Sequence, residues 1–98
     1  MEKLSPDQVE QRTAEVPQWS VNGDLLQRTL GFDDFNAAVA FVNRLRDLAE
    51  ARQHHPDIMI RYNKVTLSLT THDAGGLTDA DFEFARAMEE CVAPRPPL

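Results

Sequence analysis

The chain of 98 residues holds a single cysteine, Cys91, so no internal disulfide can form, and a cytoplasmic location is expected. Basic residues are scarce: ten Lys and Arg stand against sixteen Asp and Glu, giving a formal net charge of −6. The resulting pI of about 4.9 argues against unaided binding to nucleic acid, whose affinity comes largely from Lys and Arg on phosphates. It argues equally against an anionic membrane surface, and it leaves a neutral heterocyclic ligand open. No apolar run approaches the roughly 20 residues needed to span a bilayer, and Met1-Glu2-Lys3-Leu4-Ser5-Pro6 has no apolar signal segment. HExxH and paired-cysteine spacings are absent, so no metal is expected. Gly75-Gly76 lacks the frame of a phosphate-binding loop. There is no internal repeat and no low-complexity tract; residues 93–98, ending Pro94-Arg95-Pro96-Pro97-Leu98, read as an irregular tail.

What is present suits one domain over residues 1–98, with 42% hydrophobic and 27% charged residues. So short a chain has a modest core, which makes self-association an expectation. Ser5-Pro6-Asp7-Gln8 opens a short helix that should end before Pro17, with Ser5 and Gln8 as a capping box. Asn22-Gly23 signals a hairpin over residues 19–31, its return strand alternating at Leu26, Arg28 and Leu30. Asp33 or Asp34 can cap the next helix, with Phe35, Ala38, Val39, Val42, Leu45, Leu48 and Ala49 as its buried face and Pro56 as its stop. Ile58 to Tyr62 reads as a strand, Asn63-Lys64 as a turn, and Val65, Leu67 and Leu69 as the buried face of the last strand. Ala74-Gly75-Gly76 reads as a flexible loop. Thr78 and Asp81 form a capping box for a final helix with Phe82, Ala85, Met88 and Val92 on its buried stripe. The order α-β-β-α-β-β-α predicts an α+β, two-layer domain: a four-stranded antiparallel sheet with three helices on one face.

All three histidines lie between positions 54 and 72. His54 and His55 end a helix, and His72 ends the strand pair that follows, where parity places it on the polar face with Thr66, Ser68 and Thr70. Imidazole titrates near neutral pH, so three such groups, with Glu50 and Asp81 at hand, suit proton transfer on a polar ligand. A histidine at a helix C-terminus also has a bland use, capping carbonyls and complementing the macrodipole. Spacing leaves those two readings open. Adjacent histidines on a helix point about 100° apart and do not naturally share one ion. Cys91 falls among apolar residues, where thiols are mostly inert. Trp19, Phe35, Phe41, Phe82 and Phe84 read as core or interface aromatics.

Three strings carry more. Glu50-Ala51-Arg52-Gln53-His54-His55-Pro56-Asp57, Tyr62-Asn63-Lys64-Val65, and Leu69-Thr70-Thr71-His72-Asp73-Ala74-Gly75-Gly76-Leu77-Thr78 with Asp81 together resemble the pterin-4a-carbinolamine dehydratase family. Trp19 and Phe32-Asp33-Asp34-Phe35-Asn36-Ala37-Ala38 look like that family too, and the resemblance spans residues 4–92. It implies a hydro-lyase that converts a 4a-hydroxytetrahydropterin to the quinonoid dihydropterin and water, recycling pterin for an aromatic amino acid hydroxylase. It implies no cofactor and no metal, and a homodimer or homotetramer. It assigns His54, His55 and His72 as catalytic, Glu50 and Asp81 as supporting carboxylates, and Pro56 as part of the pocket wall. Relatives of this fold also serve as dimerisation or assembly partners, so a non-catalytic pterin-binding or protein-binding role is the alternative. Two positions depart from the pattern of some members: Gln53 stands where an acid could pair with histidine, and Ile58 where an aromatic could stack on the pterin.

Overall fold

In the computed structural model, which describes residues 2–92, the chain runs α1 (Pro6–Thr13), β1 (Ser20–Asn22), β2 (Leu25–Gly31), α2 (Phe35–Arg52), β3 (Asp57–Arg61), β4 (Lys64–Leu69), a 3-10 turn (His72–Ala74), α3 (Asp79–Ala87) and α4 (Glu89–Val92). The four strands form one antiparallel sheet in the order β1-β2-β4-β3. This is the expected α+β order, with the last helix broken at Met88 into α3 and α4. The irregular tail read at residues 93–98 lies outside the described residues.

Alternation decides which way the sheet faces. Leu26, Leu30, Val65, Leu67 and Leu69 are buried, and register pairs Leu26 with Leu69 and Leu30 with Val65. Ala38, Phe41, Leu45 and Ala49 of α2 and Phe82, Phe84 and Ala85 of α3 are buried in the same core. The other face is polar and ties itself together: Gln27 Nε2 donates to Ser68 Oγ at 2.9 Å, and the Thr29 and Thr66 hydroxyls meet at 2.9 Å. Helix α1 buries no residue. The Ser5–Gln8 capping box forms as read, and Leu4 N–H to Leu77 O (2.8 Å) with Arg12 to Asp79 (2.7 Å) tie the segment to the rest.

Five local expectations change. The first turn is Gly23-Asp24, because Asn22 pairs with Leu25; Gly23 takes the left-handed φ of 61° that such a turn requires. The second turn is Tyr62-Asn63, not Asn63-Lys64, because Arg61 pairs with Lys64. A slip of one residue would turn Val65, Leu67 and Leu69 out of the core, so the buried face of β4 dictates that register. Tyr62 therefore leaves the strand, with φ 52° and 67% exposure. In α2 the stripe is centred on Phe41, whereas Phe35, at the first helical position, is 50% exposed. It precedes the stretch of α2 that packs, whose buried residues run from Ala38 to Ala49. Pro56 does not stop α2. Gln53 does, at φ 51°, with its N–H on Glu50 O (3.3 Å) and the His54 N–H on Ala49 O (3.2 Å), a Schellman closure. The Ala74-Gly75-Gly76 segment is an ordered turn: Thr71 bridges Gly76, and Gly75 sits at φ 77°.

Candidate active site

The helix end places the histidine pair. Asp34 Oδ1 accepts the Ala37 N–H at 2.8 Å and starts α2. The left-handed Gln53, whose Nε2 also donates to Glu50 O at 2.8 Å, then swings the chain out of the helix. His54 turns inward and His55 outward as the chain enters β3. From the other side, β4 ends at Leu69 and the 3-10 turn begins at His72. His72 thus reaches the site through a turn and not, as strand parity suggested, through a continued ladder.

The two segments meet in an open cleft of about 240 Å³ lined by Gln53, His54, His55, Thr70, Thr71, His72 and Asp73. All three histidines line it. Asp81 and Glu50 act from behind: His54 Nε2 lies 2.6 Å from Asp81 Oδ1, and His55 Nε2 lies 2.6 Å from Glu50 Oε2. Pro56 is not among the lining residues. Sequence reasoning marked Gln53 only as a departure from the family pattern and Thr70 only as a polar-face neighbour of His72, and it missed Thr71 and Asp73 as lining residues. Thr71 had a signal: it continues the inward parity of Val65, Leu67 and Leu69, and a hydroxyl on that face needs a partner.

The two histidine–carboxylate contacts differ in setting. Asp81 is fully buried, the His54 side chain is 17% exposed, and the imidazole meets the Phe84 ring edge-on at 6.1 Å. Asp81 Oδ2 accepts the Thr78 N–H (2.9 Å) and the Thr71 hydroxyl (2.8 Å). The Glu50 and His55 side chains are 65% and 57% exposed. A carboxylate that only accepts obliges the facing Nε2 to carry the hydrogen, which leaves Nδ1 of each ring as the nitrogen able to act on a ligand. His72 is exposed and makes no side-chain hydrogen bond among the described residues. Burial pushes the Cys91 thiol above its ordinary range, with the nearby Arg44 guanidinium opposing the shift, so at neutral pH it is a protonated packing residue.

The family model "Pterin 4 alpha carbinolamine dehydratase" matches residues 2–91. The chain belongs to this family. A Chloroflexus aurantiacus protein, provisionally named a pterin-4-alpha-carbinolamine dehydratase, is 50% identical over 92 residues, covering 94% of this chain and 99% of its own length. An Acidobacterium capsulatum protein of the same provisional name is 48% identical over 89 residues, covering 91% and 97%. Among solved structures, a "transcriptional coactivator/pterin dehydratase" from Brucella melitensis superposes with TM-score 0.87 at 29% identity over 94% of this chain and all of its own. A pterin dehydratase-like protein identified as a RuBisCO assembly factor of the alpha-carboxysome superposes with TM-score 0.63 over 79% of this chain and 89% of its own; at 20% identity that likeness concerns the fold alone.

Proposed function

We propose that the protein dehydrates a 4a-hydroxytetrahydropterin to the quinonoid dihydropterin and water. The observation that carries this reading is the meeting of three imidazoles on one cleft, two of them held by carboxylates and the third without a side-chain partner among the described residues. The reaction breaks the C4a–O bond, releases a ring N–H proton and forms a C4a=N double bond, with no change of oxidation state. Hydroxide leaves poorly until protonated, so one imidazolium serves as acid while a neutral imidazole takes the ring proton. Each positioned group of this kind typically contributes on the order of 10²–10⁴-fold. In this reading His55 and His72, the two exposed rings, transfer protons. His54, held by the buried Asp81, positions the hydroxyl.

Recycling of pterin for an aromatic amino acid hydroxylase, and a cytoplasmic site of action, belong to the same reading. So does a homodimer or homotetramer. The edge strand β3 and its turn expose Ile58 (40%), Met59 (50%) and Tyr62 (67%), apolar surface that a second copy would cover.

The deciding experiment is turnover of chemically generated 4a-hydroxytetrahydropterin by the wild type beside His55→Ala and His72→Ala. Acceleration lost in both variants supports the reading. A folded wild type with no acceleration would sink it and favour a binding or assembly role, for which three histidines have no physical use.

A further inference from the structure

We propose that Thr71 is a positioning residue of this site. Its side chain orients the Asp81 carboxylate against His54, and its backbone holds the turn that carries His72. The inference rests on the dehydratase reading for what the positioning accomplishes, but not for the positioning itself.

The hydrogen-bond accounting admits one consistent direction. Asp81 is fully buried and accepts at both oxygens. Oδ1 faces His54 Nε2 at 2.6 Å, and Oδ2 takes the Thr78 N–H at 2.9 Å and the Thr71 hydroxyl at 2.8 Å. The Thr71 and Thr78 hydroxyls lie 2.9 Å apart, and either could donate. Each hydroxyl has a single hydrogen. Once Thr71 gives its hydrogen to Asp81, Thr78 must give its own to Thr71, and the Thr78 oxygen is then free to accept the Ala80 N–H at 3.2 Å. A one-way chain results, from Ala80 N–H through Thr78 and Thr71 to Asp81, and it converges with the hydrogen on His54 Nε2. The capping box needs only Thr78 and Asp81. The Thr71 hydroxyl is the extra member, and its 2.8 Å contact is a second donor on the same oxygen, Oδ2, that takes the Thr78 N–H.

The backbone of Thr71 does separate work. Its N–H donates to Gly76 O at 3.1 Å, and its carbonyl accepts the N–H groups of Ala74 and Gly75, both at 3.1 Å. Those bonds close the 3-10 turn on which His72 stands. One residue therefore links the part-buried ring of His54 to His72, whose side chain makes no hydrogen bond among the described residues. Removing its hydroxyl leaves a buried carboxylate one donor short and lets it rotate, which releases the His54 ring from a single orientation.

Thr71→Val keeps the β-branched shape and deletes only the hydroxyl; Thr71→Ser keeps the hydroxyl. We expect Thr71→Val to lower kcat by about 10- to 100-fold, the usual loss when an outer partner of a site ligand is removed. KM should stay within about twofold, and Thr71→Ser should recover most of the loss. A residue with only a packing role would not move the ring-nitrogen NMR signals of His54. Here the wild type should show one tautomer protonated at Nε2, and Thr71→Val a mixture. Should Thr71→Val fail to fold, Thr71→Ala gives the same spectrum to read. The proposal is overturned if the hydroxyl-deleted variant keeps both the wild-type kcat and the wild-type His54 signals, or if Thr71→Ser is as slow as Thr71→Val. If the wild type itself shows no turnover, the dehydratase reading fails alone, and the His54 spectrum still decides the role of Thr71.

Discussion

Two histidine–carboxylate pairs sit side by side in one cleft, with the same 2.6 Å contact and opposite surroundings. His54–Asp81 is built into the core: its carboxylate is sealed from water and belongs to a helix cap. His55–Glu50 lies on the surface, where solvent competes for both partners. Distance alone would rank the two pairs equally. Burial separates them, because a sealed carboxylate has no water to replace a lost donor, whereas an exposed one does. One pair is thus a structural element that also presents an imidazole. The other is an imidazole open to solvent, lightly steered by its neighbour.

The comparison breaks most sharply on the histidines themselves. His55→Ala or His72→Ala should lower dehydratase kcat by about 10²-fold or more, with the circular dichroism spectrum unchanged. His54→Ala should in addition lower the melting temperature, since it strands the buried Asp81. Next in size is Asp81→Asn. An amide must turn its NH₂ toward either the His54 side or the Thr71–Thr78 side, both of which present donors. A loss of about 2–3 kcal/mol in urea unfolding is expected, together with reduced kcat. Glu50→Gln tests the other pair: its stability should change by less than about 1 kcal/mol, with a fall in kcat of no more than about tenfold. Equal destabilisation by Asp81→Asn and Glu50→Gln would erase the distinction between the pairs. The smallest effect is expected at Cys91, outside both pairs. Burial raises its thiol pKa, so alkylation near neutral pH should run slower than for a free cysteine and speed up as pH rises. Cys91→Ala should leave kcat unchanged.

Much of this was legible before any coordinates. The capping residues Ser5 and Thr78, and the pair Asp33-Asp34 of which the structure uses Asp34, announced their helices because each offers an oxygen to unpaired N–H groups. The alternation of Val65, Leu67 and Leu69 identified the inner face of β4. The histidines, with Glu50 and Asp81, stood out by residue type and by likeness to the dehydratase family. The misread points were boundaries. Pro56 looked like the stop of α2, yet Gln53, a residue with no special taste for left-handed φ, ends the helix three positions earlier. Asn63-Lys64 looked like a turn, yet the sheet register drew Lys64 into β4 and forced Tyr62 out.

By itself the sequence determined the order of elements and the inward residues of the sheet, and it singled out the three histidines as candidates, because caps, periodicity and imidazole chemistry are local properties. Only the tertiary structure decided which carboxylate is sealed and which is exposed, that Thr71 joins Asp81, and that His72 arrives by a turn. The first two outcomes depend on contacts distant in sequence, His54 and Thr71 with Asp81 of α3. A part-buried hydrogen bond between residues ten apart, such as Thr71 to Asp81, leaves no periodic trace in the chain.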